Sequence, residues 1–75
     1  MDEKIKEMIC IGASVAAHCQ PCFEYHVKKG KETGLSMEEI SKATELGEMI
    51  GKGAENAMKK FTSAFLTENA KGEKQ

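Results

Sequence analysis

The residues best suited to chemistry lie in one stretch, His18-Cys19-Gln20-Pro21-Cys22-Phe23-Glu24-Tyr25-His26. It contains two of the chain's three cysteines, both histidines and the only proline. Thiols at C-x-x-C spacing are close enough to form a disulfide within one helical turn. If Cys22 lies in a helix, His26 follows one turn later on the same face, where its imidazole can take the thiol proton. The stretch therefore predicts an activated dithiol with its own base.

Activation of a thiol depends on its protonation state. An ordinary cysteine has a pKa of about 8.5, so only about 3% is thiolate at neutral pH. A pKa lower by about two units would make most of it nucleophilic, for about 2.7 kcal/mol of differential stabilisation. A helix N-terminus and a neighbouring imidazolium can together provide this. On this spacing Cys22 is the thiol nearest the base and Cys19 the resolving thiol. In many C-x-x-C proteins the first cysteine attacks instead, and the order stays open.

Other chemistries for the same residues must be weighed. Zinc takes four N, S or O ligands, and the set available here is Cys19, Cys22 and His26 with His18 or Glu7. Zinc sites usually draw a second ligand pair from a distant element, and none exists here, so we expect no metal and no cofactor. A c-type haem needs histidine directly after the second cysteine, where Phe23 stands. The remaining alternative is a non-enzymatic helical oligomerisation module with cysteines as small buried hydrophobes.

Composition narrows the partners and the compartment. The chain has 75 residues, 11 basic and 12 acidic side chains, no Trp and one Tyr. This composition gives no basic face for nucleic acid or membrane and no base-stacking platform. The weakly polar run at residues 8–17 is too short to span a bilayer, and the acidic residues before it argue against a signal peptide. We therefore expect a cytoplasmic protein, in which a C-x-x-C is more often catalytic, redox-active or metal-binding than structural.

The two elements around the motif are predicted to be helices. Residues 2–17 form the first, and its inward apolar face is predicted to comprise Ile5, Met8, Ile9, Gly12, Val15 and Ala16. Glu7 lies off this face and, taken alone, is expected to be a solvated charge. Pro21 is favoured in the first turn of a helix, so the second helix is predicted to begin there. Gly34 is its stop signal.

A long third helix follows. Ser36 and Glu39 have the spacing of a capping box, and an apolar stripe then continues to Phe65 without a phase slip at Gly51-Lys52-Gly53. We predict one helix over residues 37–67, about 46 Å long at about 1.5 Å per residue. A compact chain of this size is only roughly 30 Å across, so the helix should overhang its domain and require a homo-oligomer to cover its stripe. Residues 68–75 are predicted to be a polar C-terminal tail.

One constellation resembles a known family. Glu7, then eleven residues, Cys19-x-x-Cys22, then three residues and His26 is similar to the signature of the AhpD-like alkylhydroperoxidase branch of the carboxymuconolactone decarboxylase family. The runs Gly12-Ala13-Ser14-Val15-Ala16-Ala17 and Gly34-Leu35-Ser36 match as well. The resemblance implies an all-α, AhpD-like fold over residues 1–67. It comprises a helical hairpin plus a long C-terminal helix packed in a homo-oligomer.

The resemblance also implies a function. It implies reduction of hydroperoxides or partner-protein disulfides, with an external dithiol or reductase as electron donor. Cys22 would attack, Cys19 would be its disulfide partner, and His26 with Glu7 would relay the proton. Decarboxylation is not expected, because the decarboxylating branch lacks the paired cysteines.

Some residues near the motif depart from the family pattern or allow two interpretations. Relatives can carry a histidine directly before the second cysteine, where this chain has Pro21. The side chain of His18 is a candidate substitute for that missing donor. Cys10 is expected to be a core residue, with a place in the same pocket as the alternative.

Overall fold

The computed structural model describes residues 1–71 and consists of three α-helices. The helices are α1 at Glu3–Ala16, α2 at Gln20–Glu32 and α3 at Met37–Lys71. No strand occurs in the described part of the chain. The prediction of an all-α fold, a helical hairpin followed by a long C-terminal helix, is confirmed.

The start and the length of α3 follow local signals. The Ser36 N–H donates to the Glu39 carboxylate at 2.9 Å, and the Glu39 N–H donates to the Ser36 hydroxyl at 3.0 Å. This is the predicted capping box. The helix continues through Gly51-Lys52-Gly53 without a break, as predicted. The predicted end at Thr67 was too early, because the helix reaches Lys71, and residues 72–75 of the predicted tail lie outside the described residues.

The face that α1 buries is not the predicted one. Its buried residues are Glu7, Ile11 and Ser14, whereas Ile5 and Ile9 of the predicted inward face are 51% and 54% exposed. Ile11 enters the core, which it forms with Leu35, Ile40 and Ala43. The apolar stripe instead lines an open groove beside α3, formed by Ile5, Met8, Ile9, Gly12, Ala13, Ala16, Ala43, Leu46, Gly47 and Ile50. We call these ten residues the apolar groove.

A close contact of two backbones fixes this orientation of α1. A Cβ placed on Gly47 of α3 would overlap the carbonyl oxygen of Gly12 and lie 2.8 Å from the Cβ of Val15. A Cβ on Gly12 would lie 3.1 Å from the Ala43 carbonyl oxygen. Because there is no room for a Cβ at Gly47 and little at Gly12, α1 and α3 cross in near backbone contact. This contact leaves Glu7 on the side of α1 that meets α2.

The second half of α3 extends beyond the folded part. The molecule measures 61 × 21 × 19 Å, and its radius of gyration of 18.1 Å far exceeds the roughly 11 Å of a compact chain of this length. Residues 51–71, which we call the arm, leave their large apolar side chains in solvent. These are Met58, Phe61, Phe65 and Leu66. The predicted overhang is confirmed.

Candidate active site

The turn between α1 and α2 positions the first cysteine of the motif. His18 has a left-handed φ of 59°, and the Cys19 N–H donates to the Ser14 carbonyl at 2.9 Å. Together with a bond from the His18 N–H to the Val15 carbonyl at 3.1 Å, this is a Schellman C-cap. Glycine usually occupies such a position, although histidine is enriched there among other residues. His18 therefore has a backbone role that nothing in its local sequence indicated, and its side chain is exposed.

The two motif cysteines are joined and begin α2. Cys19 is the N-cap residue, and the Cys22 N–H donates to the Cys19 sulfur at 3.3 Å. Cys19 and Cys22 form a disulfide with their Cα atoms 5.3 Å apart. Pro21 occupies the first turn, as predicted. Because a helix N-terminus carries partial positive charge, a thiolate at this N-cap would be stabilised on reduction.

A carboxylate and an imidazole meet beside this helix. Glu7 Oε1 lies 2.7 Å from His26 Nδ1, across 19 positions of sequence and between two helices. Glu7 is only 1% exposed, and the side chain of His26 is 25% exposed. With Glu7 ionised, Nδ1 carries the hydrogen, so Nε2 is the ring nitrogen available as a base. The expectation of a solvated Glu7, drawn from its local sequence, is wrong because His26 provides a partner in the interior.

The four predicted residues thus form two contacting pairs at the junction of α1 and α2. Cys19 and Cys22 are bonded to each other, and Glu7 contacts His26. Cys22 and His26 lie four positions apart in α2, which places their Cβ atoms roughly 5–6 Å apart on one face. The arrangement joins a dithiol at a helix N-terminus to a base whose orientation a buried carboxylate fixes. Such a set can deprotonate a thiol and hold the resulting charge.

Further residues surround these pairs. The ring of Tyr25 lies edge-on to that of His26, with centroids 5.0 Å apart, and is 58% exposed. Tyr25 directly precedes His26, and no sequence signal identified this contact. Phe23 packs against the core. Cys10 is a free, partly buried thiol on α1.

The alternative zinc set is not assembled in this oxidised form. The sulfurs of Cys19 and Cys22 are bonded to each other. Within residues 1–71, no group of three or more His, Cys, Asp or Glu side chains has an arrangement that could hold a metal ion.

Comparison with known proteins gives one family. Residues 1–64 match the carboxymuconolactone decarboxylase family. Searches of curated proteins and of solved structures found no match. None of the helices, over the residues described, is both long and apolar enough to cross a membrane.

Proposed function

Because the chain belongs to the carboxymuconolactone decarboxylase family, which includes AhpD-like peroxidases, we propose that it is a thiol-dependent oxidoreductase. Its substrate would be a hydroperoxide or a partner-protein disulfide, and its redox group the Cys19–Cys22 dithiol. The observation that carries the proposal is the buried Glu7–His26 contact of 2.7 Å, one helical turn from a cysteine of a C-x-x-C pair that closes a disulfide. A merely structural cysteine pair has no need of an oriented base beside it.

The proposed cycle conserves atoms and electrons. The Cys22 thiol gives its proton to His26, and the thiolate attacks the distal peroxide oxygen. The O–O bond breaks, and the departing alkoxide takes the proton from His26 and leaves as an alcohol. The resulting sulfenic acid condenses with the Cys19 thiol, releasing water and forming the disulfide. An external dithiol or reductase then returns two electrons. Such a donor fits the reducing cytoplasm, the compartment we propose for this protein.

Different features of the site favour each of the two cysteines as the attacking thiol. Cys22 lies one turn before the oriented imidazole, whereas the Cys19 sulfur receives the N–H bond of the helix N-terminus. The base favours Cys22, because it removes the proton as well as stabilising the charge. We therefore propose Cys22 as the attacking thiol and Cys19 as the resolving one.

The oxidation step can be tested by counting thiols. Reduced protein is mixed with one equivalent of cumene hydroperoxide, quenched with iodoacetamide and weighed by mass spectrometry. We expect the number of alkylated thiols to fall from three to one, with Cys10 left as the constant baseline. Cys22→Ser should abolish peroxide consumption, and Cys19→Ser should stop at a sulfenic acid.

The control for this test is Cys10→Ser, which should react as the natural protein does. Unchanged peroxide consumption in Cys22→Ser would contradict the proposal. It would favour the non-enzymatic oligomerisation module, for which the exposed arm is the supporting observation.

We also propose that the chain forms a homo-oligomer. The arm is a helical segment of about 20 residues with its large apolar side chains exposed, and most helical stability in proteins comes from packing of the apolar face. The apolar groove and the arm both present apolar side chains on α3, at positions that continue one stripe from Ala43 through Ile50 to Phe65. Two antiparallel copies of α3 would bring the arm of each chain to the groove of the other. Sedimentation velocity across a concentration series tests this, and a monomer at all concentrations would refute it.

A further inference from the structure

A cleft of about 530 Å³ lies against the disulfide. It opens between the end of α1, the first turns of α2 and the middle of α3, with Cys19 in its wall. Among the residues described, neither Cys22 nor His26 lines it. Cys19 is partly buried and Cys22 is exposed, so the two sulfurs are approached from different surroundings. The volume of the cleft lies in the range of small-molecule sites.

Carboxylates dominate the charge of the wall of this cleft. Glu24 of α2 and Glu48 of α3 both line it, together with the imidazole of His18, and within residues 1–71 no lysine does. Val15 and Phe23 supply apolar surface. The net charge of the whole chain is only −1, so the negative character is a local property of this cleft.

We propose that the cleft beside Cys19 admits the electron donor, a small neutral or cationic thiol or dithiol with an aliphatic body, and disfavours anionic thiols. This inference rests on the proposed function and specifies its reductive half. The apolar residues contact the carbon chain of the donor. The two carboxylates attract a cationic substituent and repel a carboxylate.

The site of attack follows from the position of the cleft. The donor thiolate attacks the Cys19 sulfur, a new S–S bond forms there, and the Cys19–Cys22 bond breaks. Cys22 leaves as a thiolate, and the proton that the donor thiol released to solvent reaches it through the His26 imidazole. A second thiol group then loses its proton, attacks the donor sulfur of the mixed disulfide and releases Cys19, which takes up a proton. The disulfide gains two electrons, and the two donor thiols lose them as they become a disulfide.

The charge preference is measured on the oxidised protein with three probes of similar size. These are cysteamine, 2-mercaptoethanol and 3-mercaptopropionate. Rates of disulfide loss at low ionic strength are normalised to the thiolate fraction of each probe and to its rate on bis(2-hydroxyethyl) disulfide. We expect cysteamine to be fastest and 3-mercaptopropionate slowest. Each carboxylate should contribute about three- to fivefold, and the differences should shrink at high salt.

Charge reversal locates the origin of the preference. Glu48 lies on α3, so its substitution leaves the helix that carries the disulfide unchanged. Glu48→Lys should bring the anionic and cationic probes to similar rates. The matched control, Glu68→Lys, makes the same charge change in the same helix about 30 Å away and should retain the natural order. Glu24→Gln should reduce the preference by about three- to fivefold.

The cysteine that forms the mixed disulfide with the donor shows which sulfur the donor attacks. After a short reaction with cysteamine and alkylation, fragment-ion mass spectrometry should find the adduct on Cys19 and the alkyl group on Cys22. An adduct on Cys22, equal normalised rates for all probes, or equal effects of Glu48→Lys and Glu68→Lys would each overturn the inference. None of these outcomes depends on peroxide, so the oxidative half stands or fails by its own thiol-counting experiment.

Discussion

The burial of the two faces of α1 is the reverse of what their polarity would suggest. The face that contains Glu7 and Ser14 is buried, whereas the face that contains Ile5 and Ile9 is half exposed. A helix that only stabilised its own chain would bury the apolar face. Here the interior holds a carboxylate that contacts His26. The buried face is therefore organised around the candidate site, and the apolar face is the surface on which we propose that a second copy packs.

The difference shows what each face contributes. Burial of Glu7 is tolerable only because an imidazole pairs with it, since an unpaired buried carboxylate costs several kcal/mol. Because Ile5 and Ile9 are about half exposed, each forgoes roughly half of the 1.5–3 kcal/mol that full burial of its side chain would gain. Both costs make sense if the buried face serves chemistry and the exposed face is covered by a second copy. Substitutions on either face can separate these two roles.

The largest effect is expected on the buried face. Glu7→Gln keeps an oxygen that accepts from His26 Nδ1 but removes the negative charge that stabilises the imidazolium. We expect peroxide-driven disulfide formation to slow by about 10²-fold, the lower range for loss of general acid–base assistance. Quenched-flow alkylation measures this rate, with Glu3→Gln on the same helix as the control. Equal rates for Glu7→Gln and the natural protein would show that the buried pair is only structural.

The second effect belongs to the exposed face. Ile9→Glu places a charge in the apolar groove and should weaken self-association by about 10- to 100-fold, which corresponds to about 1.5–3 kcal/mol. Sedimentation velocity gives the dissociation constant, and Lys28→Glu, on α2 and outside the groove, is the control. If Ile9→Glu associates as tightly as the control, the groove is not the interface.

The contact that holds the two faces in place can be tested with a pair of glycines. Gly47→Ala inserts a methyl group against the Gly12 carbonyl and Val15, which should reduce the free energy of unfolding by about 1–3 kcal/mol. Gly53→Ala, where a Cβ meets nothing within 4 Å, should increase it by up to about 1 kcal/mol. Urea denaturation followed by circular dichroism measures both. A destabilisation by Gly53→Ala as large as that by Gly47→Ala would contradict the close crossing.

The smallest effect concerns the capping box that begins α3. The Ser36 backbone N–H, by donating to the Glu39 carboxylate, lowers the pKa of Glu39 below its ordinary value of 4.5. The unfolded chain therefore binds this proton more readily. The stabilisation by Glu39 should be complete above pH 4.5 and decline as the pH falls below it.

Melting temperatures between pH 6 and pH 3 test this dependence. Glu39→Gln should remove part of the decline, whereas Glu38→Gln, its neighbour in the first turn, should not. The same decline in both variants would show that the capping box has no part in it.

Local signals in the sequence predicted most of the fold. Pro21, Gly34 and the Ser36–Glu39 pair each act within a few residues, and they set the helix boundaries where the structure has them. The long α3 was predictable because its apolar phase continues through Gly51 and Gly53. The cap at His18 was not, because the residue most often found there is glycine.

Which face of α1 is buried could not be predicted from the periodicity of its apolar residues. An apolar stripe shows which residues share a face, but not whether the same chain or another one covers that face. Glu7 is buried by its contact with His26, which lies 19 positions away, and no pattern within α1 contains that information. Local spacing grouped Cys19, Cys22 and His26, and family resemblance was the signal that added Glu7 to them.

The most direct measurement of the central claim is the pH dependence of alkylation of each motif thiol in reduced protein, compared with Glu7→Gln. If the buried pair activates the dithiol, one thiol of the natural protein should react with a midpoint well below the ordinary value of about 8.5. That midpoint should rise in Glu7→Gln. Two ordinary midpoints in the natural protein, or a low midpoint that Glu7→Gln leaves unchanged, would contradict it.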